Sequence, residues 1–268
     1  LAVAETGMAE FANDLPRSEW LQGFNPWSVL HFWRSTCLAL TGRLAEGLAS
    51  YEEGRAIVEA DGSPEAAAYL WSWAALAYLT AGDIAKVIEC AAEVDKVCTA
   101  LGDPLTIVAH RLLCQTYVAL GAGRPQEAAD TARAALAIHK VGERQHAGMS
   151  AMLLAQALLF SGDPAGAVAA AEESVEMCRA MLRTNLEAQA QGVLACALLA
   201  RDGANAKARA EAALERAGEL IERTGAATLA PSLLEWRAAL AATLGEPQAA
   251  GELLLKAAAG YEAVGAPL

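Results

Sequence analysis

The stretch Trp71-Ser72-Trp73-Ala74-Ala75-Leu76-Ala77-Tyr78-Leu79-Thr80-Ala81-Gly82-Asp83-Ile84-Ala85-Lys86-Val87 decides the fold of this chain. It is an apolar, alanine-rich helical run, stopped by a glycine and restarted by an aspartate. Glycine supplies the left-handed residue on which helices commonly end, and aspartate is a preferred cap for a helix start. The unit recurs at Gly42, Gly82, Gly123, Gly162, Gly203 and Gly245, with steps of 40, 41, 39, 41 and 42 residues. Seven residues before each glycine stand Ser35, Ala75, Thr116, Ala155, Cys196 and Ala238. Five residues after stand Gly47, Val87, Ala128, Ala167, Ala208 and Ala250. A fixed period with a fixed template means one supersecondary unit copied along the chain.

Each glycine separates a helix A from a helix B, and a second set of breakers closes each B helix. Those breakers include Gly62-Ser63-Pro64, Gly102-Asp103-Pro104 and Gly142-Glu143. The register predicts repeats over 26–60, 64–101, 104–140, 144–182, 185–223 and 228–263. Residues 1–12 read as the last helix of a preceding repeat, and 13–25 as a linker. The absence of an initiator Met points to a piece of something longer. The fold class expected for 1–268 is a single all-α solenoid, a right-handed superhelix of about six helix-turn-helix repeats. Small residues on the facing sides of each pair let the helix axes approach, with larger residues filling the flanks.

Composition narrows the function classes. Alanine, the strongest helix former, makes up roughly a quarter of the chain. The net charge is −12, which disfavours a phosphate-tracking surface and so a nucleic-acid partner. The longest apolar stretch, 66–82, is too short for the ~20 residues of a membrane span, and no signal peptide precedes it. Cys37, Cys90, Cys98, Cys114, Cys178 and Cys196 form no C-x-x-C and have no histidine at zinc spacing. They read as small buried thiols of a reducing, cytoplasmic compartment.

The template resembles the tetratricopeptide repeat, with Trp71, Ala75, Tyr78, Gly82 and Asp83 fitting it best and Gly123–Ala128 and Gly162–Ala167 fitting its turn. The period exceeds the usual ~34 residues, so these are long-helix variants. A second resemblance covers most of the chain. The runs 25–34, 40–46, 212–225, 230–237 and 260–267 are similar to the C-terminal repeats of bacterial class III adenylate/guanylate cyclase–AAA (STAND) ATPase signalling proteins. The related maltose-regulator-like transcription activators carry a comparable repeat region. The resemblance implies a regulatory module attached to upstream catalytic domains. This segment itself has no P-loop, cyclase carboxylate set or helix-turn-helix, so it is expected not to be an enzyme.

On the tetratricopeptide template, certain A-helix positions face the concave wall. Phe32, Tyr69, Leu76, His110, Tyr117, Met149 and Met152 are the expected groove residues, and Arg34 and Arg111 the expected polar anchors. Large apolar grooves mark partner or ligand sites, and methionine suits adaptable recognition. Eleven of the fifteen aromatic residues precede residue 79, which places the binding end early in the chain. His31, His110, His139 and His146 show no metal-ligand spacing, and neither metal nor cofactor is expected. The partner expected is a protein, peptide or small-molecule effector, together with the upstream domains. The competing expectation is a structural spacer or oligomerisation arm with no ligand.

Overall fold

The computed structural model describes residues 1–14 and 25–266, with helical backbone only for 11–14. The linker expected over 13–25, with Trp20 and Phe24, falls mostly outside them. Thirteen α-helices occur among the described residues, and no strand. A first helix, α1 (Ala2–Asp14), precedes six antiparallel pairs. They are α2 (Pro26–Leu40) with α3 (Leu44–Asp61), α4 (Pro64–Thr80) with α5 (Ile84–Ala100), and α6 (Leu105–Gly121) with α7 (Pro125–Val141). Then follow α8 (Arg144–Phe160) with α9 (Pro164–Ala180), α10 (Thr184–Asp202) with α11 (Lys207–Thr224), and α12 (Ala230–Thr243) with α13 (Pro247–Ala263).

The caps explain these boundaries. Asn25 Oδ1 accepts from Trp27 N–H at 2.9 Å ahead of Pro26. Asp83 and Asp163 accept from Lys86 N–H at 3.1 Å and Gly166 N–H at 2.9 Å. At the turns, Gly82 lies in the left-handed region (φ +71°) while Asp83 N–H reaches back to Tyr78 C=O at 2.9 Å. That six-to-one bond satisfies a helix-end carbonyl.

Each pair stacks on the next, and successive A helices also touch: α2 with α4, α4 with α6, α6 with α8, α8 with α10 and α10 with α12. The A helices therefore form the inner layer of a coiled solenoid. A continuous core runs from Tyr51 to Leu214. The small-residue columns are buried as expected at Ala75, Thr116, Ala155, Ala238, Val87, Ala128, Ala167 and Ala250. In the first pair the fit is direct, because a Cβ on Gly47 would stand 2.8 Å from Ser35 C=O.

The fifth pair departs from the template. After Gly203 a short 3-10 turn (Gly203–Ala206) intervenes, so α11 begins four residues past the glycine, whereas α5 and α9 begin two residues past theirs. The buried column consequently moves two places along. Ala208 is exposed, and Ala210 is the fully buried residue.

The coil closes on itself. Thr228, in a second 3-10 turn (Ala227–Leu229), donates its hydroxyl to Leu40 C=O at the end of α2, 3.1 Å away. Gly42 lies beside Ala227 and Val264, whose side chains a Cβ there would meet at 3.3 Å. The first full repeat thus abuts the last. No helix among the described residues is long and apolar enough to cross a membrane.

Candidate functional site

Among the described residues, the inner layer borders a pair of neighbouring cavities. The larger, about 860 Å³, lies between α2, the starts of α4 and α6, and the turn before α8. Val29, Phe32, Trp33, Tyr69 and Ile107 supply its apolar wall, and Glu65, His110 and Glu143 its polar end. The second, about 580 Å³, lies between the far halves of α2 and α4, the start of α10 and the last pair. Phe32 and Trp33 belong to both. Phe32 packs edge-on against Trp33 and Trp73, with ring centroids 4.9 and 5.3 Å away, so the wall between the cavities is a stack of aromatic rings.

The expected groove residues divide by location. Phe32, Tyr69 and His110 line the larger cavity, while Leu76 lines the smaller. Tyr117, Met149 and Met152 are sealed in the core instead, with the Tyr117 hydroxyl donating to Met149 Sδ at 3.6 Å. Tight coiling is the cause: α6 packs on α4 and α8, leaving the middle of its inner face no opening. The expected anchors face elsewhere. Arg111 is bound by Asp103 at 2.8 Å and Asp95 at 3.6 Å, and Arg34 lies 3.9 Å from Glu5.

The chemistry concentrates on Glu143, the residue immediately before α8. Its Oε1 accepts from the Tyr69 hydroxyl at 3.3 Å. Its Oε2 stands 3.4 Å from His110 Nε2, 3.4 Å from His146 Nδ1 and 3.8 Å from His139 Nε2. The three imidazoles pack edge-to-face, with centroids 5.4 to 6.1 Å apart. His110 is 1% exposed and His139 fully buried. Each is held from behind by a serine: Ser72 Oγ lies 3.0 Å from His110 Nδ1, and Ser150 Oγ 2.8 Å from His139 Nδ1.

Burial sets the charges. Burial pushes the Glu143 carboxyl up, but the neighbouring His110 and His146 outweigh it and hold the group well below the usual carboxylate range. Burial pushes His110 down. Burial, then the neighbouring His146 and His110, pushes His139 down to about 4. Near neutral pH this is one half-buried carboxylate facing two neutral imidazoles and His146.

Sequence spacing did not reveal this cluster. His139, Glu143 and His146 straddle a helix break, and His110 joins them only because α6 stacks on α7 and α8. One signal was present. Tyr69 and His110 occupy the same repeat position, thirteen residues before Gly82 and Gly123, and their rings pack at a tilt with centroids 4.2 Å apart. Registering the repeats therefore predicts that contact.

No family model and no curated protein matches the sequence. Solved structures do. A Rap protein complexed with competence and sporulation factor has a TM-score of 0.66 at 11% identity, over 97% of this chain and 80% of its own. A Signal Transduction ATPase with Numerous Domains (STAND) protein with a tetratricopeptide repeat sensor, PH0952 from Pyrococcus horikoshii, has a TM-score of 0.54 at 14% identity. There the match covers 88% of this chain and 38% of that one. The chain is a tetratricopeptide-like helical repeat.

Proposed function

We propose that this chain is a regulatory sensor module that takes a peptide or small molecule into the larger inner cavity. The observation that carries the reading is the cavity itself, whose apolar aromatic wall ends in the carboxylates Glu65 and Glu143. Binding sites of this size are mostly apolar, with a few polar groups that fix orientation. An occupant with an apolar body and a cationic or hydrogen-bond-donating end fits that layout. The bound state passes to an attached nucleotide-driven or cyclase module. The likeness to a repeat sensor in a STAND protein supports this part of the reading.

A random peptide library displayed on phage, selected against the whole chain, tests it. Enriched peptides should lose binding to a Phe32→Ala, Tyr69→Ala double variant whose circular dichroism stays helical. Failure to enrich any sequence, or enriched binding that the double variant retains, counts against the cavity.

A further inference from the structure

Two buried ring nitrogens of the Glu143 cluster point inward without a hydrogen-bond partner among the described residues. Ser72 donates its hydroxyl proton to Tyr69 C=O at 2.8 Å. Ser72 Oγ also lies 3.0 Å from His110 Nδ1, and it accepts from that nitrogen when its own proton stays on Tyr69 C=O. A neutral imidazole with its hydrogen on Nδ1 presents a bare lone pair at Nε2. That lone pair faces Glu143 Oε2, itself an acceptor only, at 3.4 Å. His110 Nε2 and His139 Nε2 are both buried and without a hydrogen-bond partner among the described residues. A metal ion between His110 Nε2 and Glu143 Oε2 would satisfy both.

We propose that His110, Glu143 and His146 hold one divalent transition-metal ion of the zinc class. The spacing suits it. Two ligands each about 2.0–2.1 Å from a tetrahedral zinc stand roughly 3.3 Å apart, and Glu143 Oε2 lies 3.4 Å from both His110 Nε2 and His146 Nδ1. One donor atom from each of His110, Glu143 and His146 falls within 4.8 Å of the others. His139 Nε2, 3.8 Å from the carboxylate, stands beside that set rather than in it. Imidazole and carboxylate ligands select zinc, cobalt, nickel or iron over calcium and magnesium.

The surroundings are those of a supported site. Ser72 orients the His110 imidazole from behind, and Tyr69 fixes the other carboxylate oxygen. Outer partners of this kind orient the ligands of known sites. His110 and Glu143 also line the larger cavity, which gives an ion its entry path. The ion's binding does not depend on anything filling that cavity.

The test uses the whole chain, stripped with a chelator and dialysed. It is titrated with Zn²⁺ alone by calorimetry and with Co²⁺ alone by visible absorption. The expected result is one equivalent of either ion, a Co²⁺ spectrum of low coordination number, and displacement of Co²⁺ by Zn²⁺. His110→Asn and Glu143→Gln, checked as helical, should abolish the equivalent. Ser72→Ala should weaken it by about 10- to 100-fold. Phe32→Ala should leave it unchanged, which separates this site from occupancy of the cavity. The proposal is overturned if the parent chain binds no equivalent, as when a proton on His110 fills the gap instead. It is also overturned if helical His110→Asn and Glu143→Gln chains bind as tightly as the parent. Should those two not fold, unchanged affinity in Ser72→Ala overturns it.

Discussion

Thr228 donates its hydroxyl to the main-chain carbonyl of Leu40 at 3.1 Å, although 188 residues separate them. The bond joins the last repeat to the first. Stability in a linear solenoid is roughly a sum over neighbouring units, whereas here a contact bypasses the four units between. Thr228→Val keeps the shape and removes the donor. It should cost about 1 kcal/mol, the typical net worth of such a hydrogen bond, read as a lower urea midpoint with an unchanged slope.

Gly192 on α10 lies beneath Trp236 of α12, and a Cβ there would come within 2.4 Å of three ring atoms. Gly192→Ala should destabilise by about 1–3 kcal/mol through overpacking, despite alanine's better helix propensity. Combining it with Trp236→Leu should recover part of the loss. A Gly192→Ala chain as stable as the parent would show that the ring is free to move aside.

The displaced column of the fifth pair gives a contrast within one helix. Ala210→Leu and Ala167→Leu should each lower stability by about 1–3 kcal/mol. Ala208→Leu, on an exposed position, should stay within about 0.5 kcal/mol of the parent. Thermal unfolding of the three variants reads the register directly.

Leu182 closes α9 with φ +55° and is 86% exposed. A left-handed residue costs a branched side chain about 1–2 kcal/mol, and asparagine tolerates it better. Leu182→Asn should therefore raise stability by about 0.5–1 kcal/mol, seen as a higher thermal midpoint.

Burial pushes the Cys90 thiol up to about 12 and Cys196 to about 11, from an ordinary 9.0. Thiols react as thiolates, so both should resist iodoacetamide at pH 8 until the chain unfolds. The raised values also add stability that is complete below pH 9 and is lost as pH climbs toward 11–12. Cys90→Ala should flatten that alkaline decline in urea-unfolding measurements made across it.

The helical repeat was legible because its signals are local. Gly82 with Asp83, or Ser63 with Pro64, declares a turn whatever surrounds it. The cavity was legible in part: Phe32, Tyr69 and His110 follow from repeat register alone. Tyr117, Met149 and Met152 share that register but lie where coiling closes the inner wall, and the tightness of coiling is a sum of small inter-repeat angles that no local motif encodes. The shift from Ala208 to Ala210 depended on whether Gly203-Ala204-Asn205-Ala206 would cap or continue as a 3-10 turn, and no proline or aspartate follows Gly203 to mark the start of α11. The Glu143 cluster combines residues from three helices and a turn, so only the packed molecule assembles it.

The aromatic rings shared by the two inner cavities tie their volumes together. Phe32 and Trp33 are a partition with a chamber on each side. The far wall of the smaller chamber is the last repeat and Thr228. The same pair of rings thus borders one chamber at the start of the inner layer and another that ends at the seam between first and last repeats.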